Sequence, residues 1–187
     1  MTSDQILTLV QSALAGNTDA GANVFTPGGI PTWDGDLPVL LLYCDDEQGQ
    51  TISGTVGYPQ FDVVSTVKIE GRVQVGASND DAGTAATSVA LGTLRDQIKA
   101  AVINGPGLMA PLGPVQAFRW FRATKDYSDA GTAKHVGQIT VEIGVEHYQG
   151  ADDFFNAPNV DLRQVHATVA APDGTPVVGA DITALDA

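Results

Sequence analysis

Between Gln60 and Val75 apolar and polar residues alternate almost without a break. Phe61, Val63, Val67, Ile69, Val73 and Val75 hold the odd positions together with Ser65 and Gly71. Asp62, Thr66, Lys68, Glu70, Arg72 and Gln74 hold the even ones, where only Val64 breaks the polar row. A period of two predicts one strand with a face on a core and a face toward water or a partner. At about 3.3 Å per residue it would reach roughly 50 Å, far beyond the usual five or six residues. A domain of this size is not expected to cover such a length alone, so the strand is expected to project or to pair between subunits.

The other elements follow from similar patterns. Ile6, Leu7, Val10, Ala13 and Leu14 recur at helical spacing behind Thr2 and Ser3, two candidate N-caps, and Gly16 supplies the stop. Asn17 to Asp36 is turn-rich and leaves room for a short extended piece at Val24-Phe25-Thr26. Leu37 to Cys44 is a continuous apolar run, which predicts a strand buried on both faces, with Pro38 at its start. Asp45 to Tyr58 reads as a polar, Gly-rich loop. From about Thr84 to Asn104, Ala90, Leu91, Leu94, Ile98, Ala101 and Val102 mark a second helix. Gly105 to Pro114 is too rich in Gly and Pro for regular structure.

Val115 to Thr124 predicts a strand with Phe118, Arg119, Trp120, Phe121 and Arg122, followed by a turn over Asp126 to Ala133. His135 to His147 alternates again, with Ile139, Val141, Ile143 and Val145 on one face and Gln138, Thr140, Glu142 and Glu146 on the other. Beyond Tyr148 the character changes: a loop at Asp152 to Pro158, a strand at Val165 to Ala171, a turn at Pro172 to Pro176 and a weak strand at Val177 to Ile182. The fold class is therefore α+β, with a domain at 1–148 and a β-rich C-terminal extension at 149–187.

Composition narrows the function classes. The 187 residues suffice for one domain with a real core, and 43% of them are apolar, which excludes a disordered chain. The single Cys44 excludes an internal disulfide framework and fits a reducing compartment. No apolar run approaches membrane-spanning length and no secretory leader is visible, so a soluble protein made in the cytoplasm, with no membrane partner, is expected. The net charge of −13 is unevenly spread: residues 1–67 carry eight acids and no Lys or Arg, while eight of the nine bases lie between Lys68 and Lys134. So acidic a chain is repelled by nucleic acid. The charge segregation is either a solvated surface or a set of complementary patches that dock copies or partners.

Candidate chemistry is sparse. Asp45, Asp46 and Glu47 carry oxygens suited to a hard cation, but adjacent residues of an extended chain point apart and the spacing fits no EF-hand; a solvated acidic loop explains them as well. His135, His147 and His166 lack metal-ligand spacing, and the first two lie too far apart along a strand to share an ion. Acidic neighbours would raise the thiol pKa of Cys44, the reverse of what a nucleophile needs. No phosphate loop, nucleophile elbow or dinucleotide fingerprint occurs, so neither a cofactor nor an enzyme activity is expected. Arg119, Trp120 and Arg122 belong to the residue types enriched at interface hot spots, and they also suit a strand with a half-covered outer face.

Order and phrasing of several segments resemble the tail terminator (tail completion, minor tail protein U-like) family of long-tailed phages. The resemblance rests on the N-terminal helix, Val24-Phe25 with Pro27, the strand Leu37-Pro38-Val39-Leu40-Leu41-Leu42-Tyr43 followed by Asp45-Asp46-Glu47, Pro59-Gln60-Phe61, and the alternating strand through Ile69-Glu70-Gly71-Arg72-Val73 into a helix. It covers about residues 1–148. It implies a mostly antiparallel sheet with a long central strand pair and two helices packed on it. It further implies a structural virion protein: a homohexameric ring at the neck that caps the tail tube, ends its polymerisation and meets head-completion or connector proteins, with genome DNA passing through the lumen. Subunit contacts are expected at Asp45, Asp46, Glu47, Lys68, Arg72, Arg119, Trp120 and Arg122. The alternatives are another neck, tail-tube or head-completion protein, or a small cytoplasmic binding module with a pocket near Arg119 and Arg122.

Overall fold

In the computed structural model the described residues are 1–26, 37–52, 59–76, 81–105, 108, 115–128, 134–154, 164–170 and 176–183. The chain forms two units, Met1–Phe154 and Phe155–Ala187. The elements of the first are α1 (Ser3–Leu14), β1 (Val24–Phe25), β2 (Val39–Thr51), β3 (Phe61–Gly76), α2 (Asp81–Ile103), β4 (Val115–Ser128), β5 (Lys134–Gln149) and α3 (Ala151–Phe154). The second unit holds β6 (Gln164–Ala170) and β7 (Pro176–Thr183), paired antiparallel. The class is α+β.

The first unit is a five-stranded sheet in the order β1-β2-β3-β5-β4. Only the two-residue β1 runs parallel to its neighbour; the other pairings are antiparallel. β3 carries the predicted alternation into space. Val63, Ser65, Val67, Ile69 and Val73 are buried beneath the helices, whereas Thr66, Lys68, Glu70 and Arg72 lie half-covered on the other face.

The expectation that this strand projects or pairs between subunits is corrected. β3 is the middle strand, flanked by β2 through Thr51 and by β5 along all sixteen of its residues. Two neighbours of comparable length satisfy its backbone within the chain, so the length that looked impossible to cover is covered by strands rather than by a core.

The acidic loop expected from Asp45 is likewise corrected. β2 continues through Asp45, Asp46 and Glu47 to Thr51, paired with β3. A register break between Tyr43 and Asp46 inserts one extra residue in β2, so Tyr43 faces away from the helices before it and Asp46 faces the same way after it. Burial stops there: Val39 to Leu42 are buried on both faces, and the strand is exposed from Asp45 onward. β4 extends to Ser128, past the turn expected at Asp126, because β5 offers partners as far as Val136. β5 runs two residues past His147 into α3, where a loop was expected. Residues 53–58, 109–114, 129–133 and 171–175, which fall in four predicted loops or turns, lie outside the described residues.

The helices sit on one face. Thr2 caps α1: its hydroxyl accepts from the Gln5 backbone N–H while the Gln5 side chain accepts from the Thr2 N–H, a capping box that contributes about 1 kcal/mol. Ile6, Val10 and Leu14 of α1 and Leu91, Leu94, Ile98 and Val102 of α2 join Leu40, Leu42, Val67, Ile69, Ile139, Val141 and Ile143 in one core. Gly71 marks where α2 approaches most closely, since a Cβ there would meet Leu94 at 2.8 Å, Ile139 at 3.0 Å and Leu40 at 3.1 Å. The opposite sheet face carries no helix among the described residues, and β1 covers β2 only at Leu40 and Leu41. Sheet edges are thus open along β4 and along β2 beyond Leu42.

Candidate assembly surface

The register aligns four strands into rows across the face opposite the helices. One row runs Tyr43, Lys68, Glu142, Arg122, the next Asp46, Thr66, Gly144, Trp120. Five of the eight residues singled out from the sequence, Asp46, Lys68, Arg72, Trp120 and Arg122, therefore share this face. Arg119 joins them because a register break between Phe118 and Trp120 sends its guanidinium onto the carboxylate of Glu146. Glu146 is buried while Arg119 stays largely exposed, so the pair anchors the base of an otherwise solvated cation.

Lys68 and Arg72 flank Glu70 along β3. The ammonium of Lys68 lies 2.6 Å from the Glu70 carboxylate and 5.6 Å from the centre of the Tyr43 ring. The Glu70 hydrogen bond raises the Lys68 pKa. Arg72 is 3.8 Å from Glu70 and donates from Nε to Gln138 Oε1 at 3.1 Å. Arg122, although level with Glu142, has no ion-pair partner among the described residues. Trp120 covers Gly144, and the absence of a side chain there is what admits the indole.

β4 is held from the helix side. Lys125 donates to the Ser88 carbonyl at 2.8 Å, Tyr127 hydrogen-bonds the Ser88 hydroxyl at 3.0 Å, and Lys99 lies 4.3 Å above the Phe121 ring. Trp120, Phe121 and Tyr127 are nevertheless 43%, 52% and 45% exposed. The outermost strand is thus fixed in place yet leaves large aromatic surface in water.

Glu47 does not share the face of Asp46. It points toward the N-terminus of α1, where it accepts from the Ser3 hydroxyl and, at 2.8 Å, from Gln149 Nε2. The Met1 amine pairs with Asp153 at 2.8 Å, and this contact, with the Gly150 N–H, holds the Asp153 carboxyl below the usual carboxylate range. His147 is buried beside Gln149, and its Nδ1 has no partner among the described residues. Burial pushes its pKa below the ordinary 6.5; the Met1 ammonium acts in the same direction, while Glu47, Asp153 and Glu146 oppose. Burial also pushes the Cys44 thiol up, with Glu47 and Asp45 adding to the effect.

Among the described residues no group of three His, Cys, Asp or Glu is placed to hold a metal ion. Nor is any described helix long and apolar enough to cross a membrane. Sequence reasoning missed Glu70, Gln138, Gly144 and Glu146 as partners of the chosen residues. Their strand parity was visible, but only the register shows who stands opposite whom. No protein-family model matches this chain, and no curated protein does.

Proposed function

We propose that this chain is a non-enzymatic structural protein of a long-tailed phage virion, a tail terminator. Six copies form a ring that caps the finished tail tube, stops its growth and offers a surface to head-completion proteins, while the genome passes through the lumen. The observation that carries this reading is an antiparallel sheet whose two opposite edges are open and of opposite charge, in a chain whose local phrases resemble that family. β2 ends in Asp45, Asp46 and Glu47, and β4 carries Arg119, Arg122 and Lys125. Head-to-tail contacts between unlike edges are what a closed ring needs. Electron microscopy of particles assembled without this protein tests it. Over-long tubes are expected. Absent tubes would make it a tube protein, and normal tubes lacking heads a joining protein.

A further inference from the structure

Resting on the ring reading, we propose which surfaces join the copies. The outer edge of β4 in one copy docks onto the outer edge of β2, beyond Leu42, in the next, and Asp46 of the second copy meets Arg122 of the first.

Three observations lead there. First, these are the stretches of the first unit's sheet without a strand partner on one side among the described residues: β3 and β5 are flanked on both sides, and β1 shields β2 only at Leu40 and Leu41. A long edge of unpaired N–H and C=O groups is a template for another strand. Second, directions match. β2, β3, β5 and β4 alternate, so β4 runs opposite to β2. A second copy rotated about an axis along the strands brings its β2 antiparallel to β4, and the alternation continues unbroken across the junction.

Third, charge selects this pairing over the symmetric ones. Two β4 edges would bring Arg119, Arg122 and Lys125 together, and two β2 edges would do the same for Asp45, Asp46 and Glu47; like charges across strands are destabilising. In the unlike pairing, Asp46 lies at the level of Trp120, with Arg122 two residues along on the same face. Diagonal neighbours at that spacing lie within reach of a long side chain. Both ends are available: Arg122 has no ion-pair partner among the described residues, and Asp46 receives only a 3.4 Å hydrogen bond from Thr66. The exposed indole of Trp120 would be buried at the same junction. The bulges and charges of β4 are also the devices that blunt an edge and keep a protein monomeric, which is the outcome that opposes the proposal.

The test is sedimentation velocity of the full chain over a concentration series in moderate salt, with melting temperature measured alongside. Wild type is expected to self-associate. Arg122→Asp and Asp46→Arg are each expected to weaken association at least about tenfold at unchanged melting temperature. The double variant Arg122→Asp/Asp46→Arg is expected to regain it, because every junction again holds one charge of each sign. A wild type that stays monomeric throughout, single reversals that associate normally, or a double variant that fails to recover each overturn the proposal. If the charge swap behaves as expected but the protein does not stop tube growth, the tail-terminator reading fails and the junction stands. If tubes are capped and the reversals change nothing, the reverse holds.

Discussion

The indole of Trp120 occupies the space that a side chain at Gly144 would need: a Cβ built on Gly144 would sit 2.5 Å from the indole Nε1 and 2.8 Å from Cε2. Glycine in a strand weakens it unless a neighbouring aromatic covers the gap, and here the next strand supplies one. Gly144→Ala should therefore displace Trp120 and cost ~1–3 kcal/mol in urea unfolding, the usual range for overpacking. Gly49→Ala is the control, since its Cβ would make ordinary contacts of 3.5 Å or more. A Gly144→Ala protein as stable as wild type would show that the indole has room to move aside.

Gly71 and Leu94 form a second close pair, beneath α2. Gly71→Ala is expected to destabilise the fold by ~1–3 kcal/mol because Leu94, Ile139 and Leu40 crowd the new methyl. Leu94→Ala alone should cost ~2–5 kcal/mol through the cavity it leaves. Combined, the two changes should cost less than their sum, since the added methyl enters the vacated space and contacting residues couple. Strict additivity in a double-mutant cycle would contradict the packing described.

His147 predicts a loss of stability in mild acid. Its native pKa is depressed, so above the ordinary value of 6.5 both folded and unfolded forms are neutral and the residue has no pH effect. As the pH falls below that value the unfolded chain takes up the proton first, and stability declines until the pH passes the depressed native value. His147→Gln should flatten urea midpoints between about pH 7 and pH 5 relative to wild type, while His135 and His166 provide an unchanged background. The depressed Asp153 acts lower. Its contribution is present above the unfolded carboxylate value and is lost as the pH falls through the native one, so the two effects separate along the pH axis.

Assembly should depend on ionic strength in an unusual direction. A single Asp46–Arg122 junction is weakened by salt, but copies carrying −13 each also repel one another over the whole surface. With the long-range repulsion dominant, light scattering should show association promoted by added salt or divalent cations, or by a tail-tube end. A stable hexamer in low-salt buffer containing EDTA would count against this balance.

Much of the architecture was legible along the chain. The period-two alternation of β3 and β5 and the helical spacing in α1 and α2 name the buried faces residue by residue, because burial of one face is what imposes those periods. Less visible was what each strand pairs with. Gln60 to Val75 looked like an unmatched excess of strand because the sixteen residues of β5 and the polar half of β2 had not been recognised as its cover. Asp45 to Thr51 defeated composition-based reading because an exposed ribbon held by backbone bonds needs no apolar residues. The cluster of Lys68, Arg72, Trp120 and Arg122 followed partly from parity, but Glu70, Gln138 and Glu146, which define their electrostatics, emerge only from register.

The extra residue between Tyr43 and Asp46 works as a phase shift in the alternation of β2. Without it, Glu47 would swing outward, away from Ser3 and Gln149, and Asp46 would turn inward to the start of α1. Deleting Cys44 or Asp45 would thus exchange inside and outside along the whole distal ribbon without altering any carboxylate. The tether that holds the N-terminus and the acid offered to a neighbouring subunit are sorted onto opposite faces by a single backbone insertion.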